Sequence, residues 1–504
     1  MTVHVVVAVV LLAVPALVPT VACVGVRPVT LFLVPLAGSV LVAVAAELEL
    51  AVGGSLLMWF VILAVVANLM AARRLRRGAG PSRDSLSSPW PWITLLVVVA
   101  AVVWPLHALR NPIVLTDGYA IWTLHSIFIY GGHDTFLSGL KNPVTTFSNP
   151  GYPPLVPASG ALAFIGEGRV DIRLAVIVTG VLEACGLGVV ACGIAEVARR
   201  QVGAVTRGAS LVVAAALCLV GFGSGIAGLS AVGGSADLTW AAAGVAAVVY
   251  GLVLPRSPRH LAIAWLCATV ASLTKNEGFV TALFIFLLIA VRHRSTLVGL
   301  VRSGPFGSGR RAAAVVGEPE PDPTPSKVVR LLFVIGSTVV MAAPGLAWVL
   351  LMRLEGIGSD FVGHSTETFA QRAHPTLAAF ADHLHILPVA AAVAVVGSLV
   401  LRGTRTRLGL GHPGWLWLVI AWSLAAIAAT YVFGALEIKW WLATSIVRTM
   451  IFAQLALYTD LAVWCVVALT RTPRPEETTP RYRHSARTGA PVPTEPDRQL
   501  SAQH

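Results

Sequence analysis

Charged residues are scarce in this chain. Only 12% of its 504 residues are Asp, Glu, Lys or Arg, while 56% are hydrophobic, so most of the chain takes a solvent other than water. It reads as a polytopic membrane protein. Cysteine is also thin. The six, Cys23, Cys185, Cys192, Cys218, Cys267 and Cys465, all fall inside apolar runs, which argues against a disulfide framework or a metal cluster and leaves small buried hydrophobes. Lysine occurs only four times. The opening MTVHVVVAVV lacks a basic n-region, so the first apolar run reads as a retained helix and not as a cleaved signal peptide. A net charge of +12 would suggest nucleic acid in a soluble protein; here it first marks topology, and no nucleic-acid partner is expected.

What is abundant is apolar sequence. Runs able, or nearly able, to cross about 30 Å of hydrocarbon lie near 3–26, 30–47, 54–72, 92–109, 171–195, 208–226, 237–254, 260–274, 277–292, 329–352, 386–402, 413–433 and 447–470. The expected fold class is therefore an all-α membrane protein, a polytopic bundle of about 13 transmembrane helices. Basic clusters separate them: RRLRR at 73–77, ARRQVGAVTR at 198–207, PRSPRH at 255–260, the 292–330 segment, RGTRTR at 402–407 and the 471–504 tail. All share one side, the cytoplasmic one, provided that 153–166 does not cross. That segment, PPLVPASGALAFIG, reaches only about 21 Å as a helix. It is expected as a short helix in the outer interface, begun by Pro153 and Pro154.

Residues 110–170 then form one large first extracytoplasmic loop containing short interfacial helices. The 292–330 segment, with SGPFGSGRR and GEPEPDPTPSK, reads as a cytoplasmic linker. Residues 471–504 read as a disordered tail. Three regions result: N-terminal membrane helices and a basic loop over 1–91, the main membrane domain over 92–470, and the tail.

On this topology polar residues far apart in sequence converge on the outer side. Asp117 follows the 92–109 helix in TDGYAIWTLH, with His125, His133 and Asp134 further along the same loop. Asp237 opens a helix after GLSAVGGSA, Lys275 and Glu277 sit in TKNEG, and Lys439, Ser445 and Arg448 lie in EIKWWLATSIVRT, the last outer loop. Three of the four lysines, Lys141, Lys275 and Lys439, fall on the side that disfavours them, which points to an anionic ligand there. Each residue also has a structural role open to it. Asp237 suits a helix cap, Lys275 and Glu277 suit a paired interhelical turn, and Arg448 suits an interfacial anchor beside Trp440 and Trp441. The histidines, including those of HPTLAAFADHLH in the 353–385 outer loop, have no trustworthy metal spacing; the latter stretch suits an amphipathic helix. No metal ligand is assigned. Asp117 stands apart, because a carboxylate at the membrane surface beside Tyr119 and Trp122 can be partly desolvated and tuned for base chemistry.

The succession TDGYAIW, NPGYPPLVP, GGSADL, SLTKNEG and WWLATSIVRT over roughly 92–470 resembles the GT-C superfamily of integral-membrane glycosyltransferases. The nearest likeness is to bacterial relatives of the protein mannosyltransferases and of the lipid A aminoarabinose transferase. The resemblance implies an enzyme of the bacterial cytoplasmic membrane with its active site on the extracytoplasmic side, moving a sugar from a polyprenyl-phosphate donor to a glycan, lipid or protein acceptor. It implies Asp117 as catalytic base, Lys275 and Arg448 on the donor phosphate, and Tyr119, Trp122, His125, Tyr152, Asp237, Glu277 and Ser445 around the substrates. No cofactor is called for, and a divalent cation stays open. Two features depart from the family: three helices precede the one leading into the loop, and Gly118 stands where a second acid would make a paired acidic motif. The competing reading is a secondary transporter or lipid flippase, in which Glu183 and Asp460, near the middle of their helices, relay protons.

Overall fold

The computed structural model describes residues 2–76, 117–199, 233–294, 297, 327–358 and 366–470. The expected helices at 92–109 and 208–226, the linker's central part, the 471–504 tail, Asp360 and His364 lie outside them. Among the described residues there is helix and no strand. Among the described residues seven helices are long and apolar enough to cross a membrane, and eight if a bent pair counts as one span. The protein is a helical membrane protein.

The chain opens with α1 (Thr2–Val24), α2 (Pro28–Val52) and α3 (Leu56–Arg76). Pro19 lacks the N–H that would bond the Pro15 carbonyl one turn earlier. Asn68 of α3 supplies the missing donor, its Nδ2 reaching Pro15 O at 2.8 Å, which ties α3 to α1. Residues 117–170 are almost wholly helical. A wide turn over Gly118–Thr123 runs into α4 (Leu124–Tyr130), followed by α5 (His133–Lys141), a tight turn over Pro143–Ser148 and α6 (Leu155–Glu167).

The rest comprises α7 (Ile172–Ala198), α8 (Asp237–Val248, prolonged by a wide turn to Val253), α9 (Pro258–Thr274), α10 (Asn276–Arg292) and α11 (Lys327–Leu354). Then come α12 (Phe369–His383), α13 (Leu387–Val400), the short α14 (Arg402–Arg407), α15 (Gly414–Phe433), α16 (Ile438–Thr449) and α17 (Ile451–Ala468).

Burial sorts these helices by position. α2, α7 and the α16–α17 run are buried along most of their length, whereas α1, α3, α11 and α15 expose most of theirs. Exposed Leu and Val on the second group, such as Val61, Leu331 and Leu418, are the surface that a lipid solvent favours.

Three expectations are corrected. PPLVPASGALAFIG does form a short helix, α6, but Leu155 through Phe164 are all buried, and α6 packs against α1, α2, α4 and α7. It is an inner wall of the bundle and not a lipid-facing border, because its Ala and Gly residues let neighbouring helices close on every side. Second, EIKWWLATSIVRT is not a loop. It is α16, and with α17 it makes one run over Ile438–Ala468, since Glu437 caps its start by accepting from the Lys439 and Trp440 amides. Third, the expected 386–402 span is the second arm of a helix pair bent by 67°, whose first arm, α12, carries HPTLAAFADHLH.

Candidate functional site

Backbone contacts first bring the chain's distant polar segments together. An added Cβ on Gly118 would lie 2.1 Å from the Gly233 carbonyl oxygen, so the stretch after Asp117 and the stretch before Asp237 touch backbone to backbone. Lys275 holds an extended conformation between α9 and α10, a one-residue break that reverses the chain. The return is close, since a Cβ on Gly278 would meet the Ala271 carbonyl oxygen at 2.2 Å. Arg448 lies in the last turn of α16.

The side chains complete the cluster. Lys275 Nζ donates to Asp237 Oδ1 at 2.6 Å and lies 3.4 Å from Glu277 Oε1. Ser235 Oγ donates to Asp237 Oδ2 at 2.7 Å. Arg448 Nη1 donates to Asp117 Oδ2 and lies 3.9 Å from Asp237 Oδ2, while Nη2 reaches the Thr444 carbonyl at 3.2 Å. The Lys275 ammonium sits 5.6 Å above the Tyr152 ring, which stacks on Trp122 with centroids 5.3 Å apart. Thus Asp117, Trp122, Tyr152, Asp237, Lys275, Glu277 and Arg448 form one continuous network. Burial alone would push the Lys275 ammonium down, but Asp237 and Glu277 outweigh it and hold the group charged, well above the usual lysine range. Burial also raises the Tyr152 phenol, which stays protonated.

This geometry decides between the roles left open by sequence. Asp237 is the first residue of α8, and its side chain is spent on Ser235 and Lys275 and not on capping the helix. The turn pairing of Lys275 with Glu277 is present, but as the longer of two contacts. Arg448 turns toward Asp117, away from an anchor role beside the exposed Trp440.

Other predicted residues fall outside the network. Tyr119 is half exposed. Ser445 bonds Tyr431 Oη at 2.8 Å and donates to the Trp441 carbonyl at 2.7 Å. His125, predicted to face substrate, is buried and bonds Ser148 Oγ at 3.0 Å. Because Ser148 Oγ donates to the Thr145 carbonyl at 2.6 Å, the imidazole Nε2–H is the donor, and His125 is a strut inside the loop. Burial holds its pKa at about 4, so it is neutral at physiological pH. Lys141 pairs with Glu355 at 2.7 Å, and the Lys439 side chain is exposed.

Sequence reasoning missed Ser235 and Tyr431, and took Arg372 and Glu367 as two of the polar residues of the 353–385 outer loop that could shape an acceptor site. Ser235 was findable, two residues before an acid at a helix start. The place of Arg372 was not, because its value lies in tertiary contacts: it is buried, pairs with Glu367 at 2.6 Å, and donates to the Tyr431 and Val432 carbonyls at the end of α15 and to the Leu436 carbonyl just beyond it. It thereby fastens α12 to the segment leading into α16. Among the described residues no group of three His, Cys, Asp or Glu is placed to hold a metal ion.

The transporter acids have separate surroundings. Glu183 is fully buried, neither carboxylate oxygen has a hydrogen-bond partner, and its charged neighbour is Asp237. Asp460 accepts from Trp417 Nε1 at 3.1 Å, and its charged neighbour is Arg405. In comparisons with known proteins, no family model, no curated protein and no solved structure matches the chain.

Proposed function

We propose that this protein is a membrane glycosyltransferase of GT-C type, which moves a sugar from a polyprenyl-phosphate donor to a glycan, lipid or protein acceptor on the outer face of a bacterial cytoplasmic membrane. The observation that carries this reading is the convergence of Asp117, Asp237, Lys275, Glu277 and Arg448, drawn from across 332 residues of chain, into one ion-paired cluster. The finer topology belongs to the same proposal: about 13 spans, with residues 110–170 on the outside, where the cluster meets the headgroup layer.

A polyprenyl-phosphate sugar is half lipid and half polar, so its enzyme needs apolar walls for the prenyl chain and fixed cations for the phosphate. Arg448 offers a planar fork to phosphate oxygens and Lys275 a point charge. Trp122 and Tyr152, buried and stacked on each other, form a rigid backing under the Lys275 ammonium. In the proposed step an acceptor hydroxyl oxygen attacks the anomeric carbon, Asp117 takes the hydroxyl proton, and the bond to the lipid phosphate breaks with the phosphate leaving on the opposite face. The anomeric configuration inverts. A positioned base supplies about 10²–10⁴ in rate, and charge stabilisation of the leaving phosphate a comparable share.

In membranes supplied with radiolabelled polyprenyl-phosphate sugars, Asp117→Asn should cut label transfer by at least about 10²-fold at an unchanged protein level. Full transfer by that variant removes Asp117 from the chemistry. Arg448→Ala should impair donor use more than Arg448→Lys, whereas equal and negligible effects would make Arg448 structural.

The transporter reading rests on Glu183, an acid with no hydrogen-bond partner in the bundle interior. Because Glu183 and Asp460 belong to different local networks, a relay between them has less support than the ion-paired cluster. Uptake of solute by vesicles holding the protein, abolished by Glu183→Gln, would favour it.

A further inference from the structure

The cluster's own charge balance bears on how it can take a phosphate. Three carboxylates, Asp117, Asp237 and Glu277, face two cations, Lys275 and Arg448. Among the described residues of the cluster no positive charge is left over. An incoming phosphate that simply added itself would raise the negative excess in a largely desolvated place, which is strongly unfavourable. One carboxylate must therefore give up its cation. Exposure decides which: the Asp237 side chain is 2% exposed and Glu277 21%, whereas Asp117 is 35% exposed and, among the described residues, is held by Arg448 alone. Releasing Asp237 would strand a charge in the interior. Releasing Asp117 lets water take over its solvation.

There is a second reason to expect the exchange. Arg448 holds Asp117 Oδ2, so while the pair lasts the carboxylate can meet an acceptor hydroxyl only through Oδ1, and Arg448 cannot offer its full fork to a phosphate while Nη1 is on Asp117. Each occupies part of what the other needs. We infer, resting on the transferase reading above, that the Arg448–Asp117 pair is an exchange switch: the donor's phosphate displaces Asp117 from Arg448, and that displacement frees the whole Asp117 carboxylate to act as base. Donor then binds before the acceptor is activated, and Asp117 is an intramolecular competitor of the donor phosphate.

The consequence is opposite to the ordinary expectation for a catalytic residue. Removing the Asp117 charge should tighten binding of the lipid phosphate while abolishing transfer. The probe is undecaprenyl phosphate, titrated calorimetrically against the full chain in detergent. Asp117→Asn should bind it about fivefold more tightly than the unaltered protein, a factor worth about 1 kcal/mol and suited to a pair this exposed. In an Arg448→Ala background the same change should have no effect, which separates exchange at the guanidinium from a general loss of negative field. Glu277→Gln, which alters an acid not paired to Arg448, should give less than half the gain in free energy.

Equal tightening with and without Arg448, or no tightening at all, overturns the switch and leaves the donor reading standing. Failure of the unaltered protein to bind the probe overturns both. A readout needing no variant guards against misfolding: undecaprenyl phosphate should speed carbodiimide labelling of Asp117 in the unaltered protein, and inorganic phosphate at equal concentration should do so far less. Slowed or unchanged labelling with the lipid phosphate bound contradicts the switch.

Discussion

Lys275 shows what a single residue contributes at this depth. Its ammonium is nearly enclosed, and Asp237 answers it at 2.6 Å. Replacing one member of such a pair leaves the other charged and uncompensated, a loss of about 3–5 kcal/mol. Lys275→Met should therefore lower the unfolding midpoint in detergent sharply, and adding Asp237→Leu to it should recover much of the loss; a double variant no more stable than the single would mean that the pair stores little. His125 gives the residue scale a pH signature. Its folded pKa of about 4 lies below the unfolded value near 6.5, so the unfolded chain binds the extra proton between those values. Stability should be untouched by this group above pH 6.5 and should fall as pH drops from about 6.5 to about 4. His125→Gln should flatten that part of the profile, which thermal melts across the range will check. At this scale the charged residues were legible in the sequence because a membrane protein places few of them without cause. Their pairing was not, since nothing in the spacing of 117, 237, 275 and 448 says which acid meets which base.

Elements carry the cluster through close backbone approach. Gly118 meets the Gly233 carbonyl so closely that a side chain on Gly118 has no room. Gly118→Ala should force the 117–123 turn away from the start of α8, weaken the protein by about 1–3 kcal/mol and lower transfer by displacing Asp117. A melt and an activity profile matching the unaltered protein would show that this approach is slack. Helix existence was legible from apolar length, as in α2, α7 and α15. Boundaries near the site were harder. EIKWWLATSIVRT reads as a loop by its polar and aromatic composition, yet Glu437 caps it and its buried residues Trp441, Leu442 and Ile446 pack inward as α16. Likewise α6 looked interfacial by length alone, and only tertiary packing shows that its small residues serve close contact on all sides. Hydropathy measures what a segment prefers as solvent, and neighbouring helices can be that solvent.

For the whole molecule, the seventeen residues of α10 set Lys275 and Arg292 about 25 Å apart, on opposite ends of the bundle. The acid and base cluster occupies one end. Arg256 and Arg405 lie near Arg292 at the other, a clustering of basic residues of the kind the positive-inside rule describes. With Cys23 replaced by serine, cysteine introduced at the exposed Val144 should react with an impermeant maleimide in intact cells, while cysteine at the exposed Arg407 should react only after permeabilisation. The reverse pattern would put the cluster in the cytosol and remove the proposed donor's access. The membrane class was plain from composition; the ion-pair geometry emerged only from packing. The most direct test of the central claim is a density map of the protein with undecaprenyl phosphate bound. The account predicts the phosphate in contact with Lys275 and Arg448, with Asp117 turned away from the guanidinium. A phosphate seated elsewhere, with the Arg448–Asp117 pair intact, would contradict it.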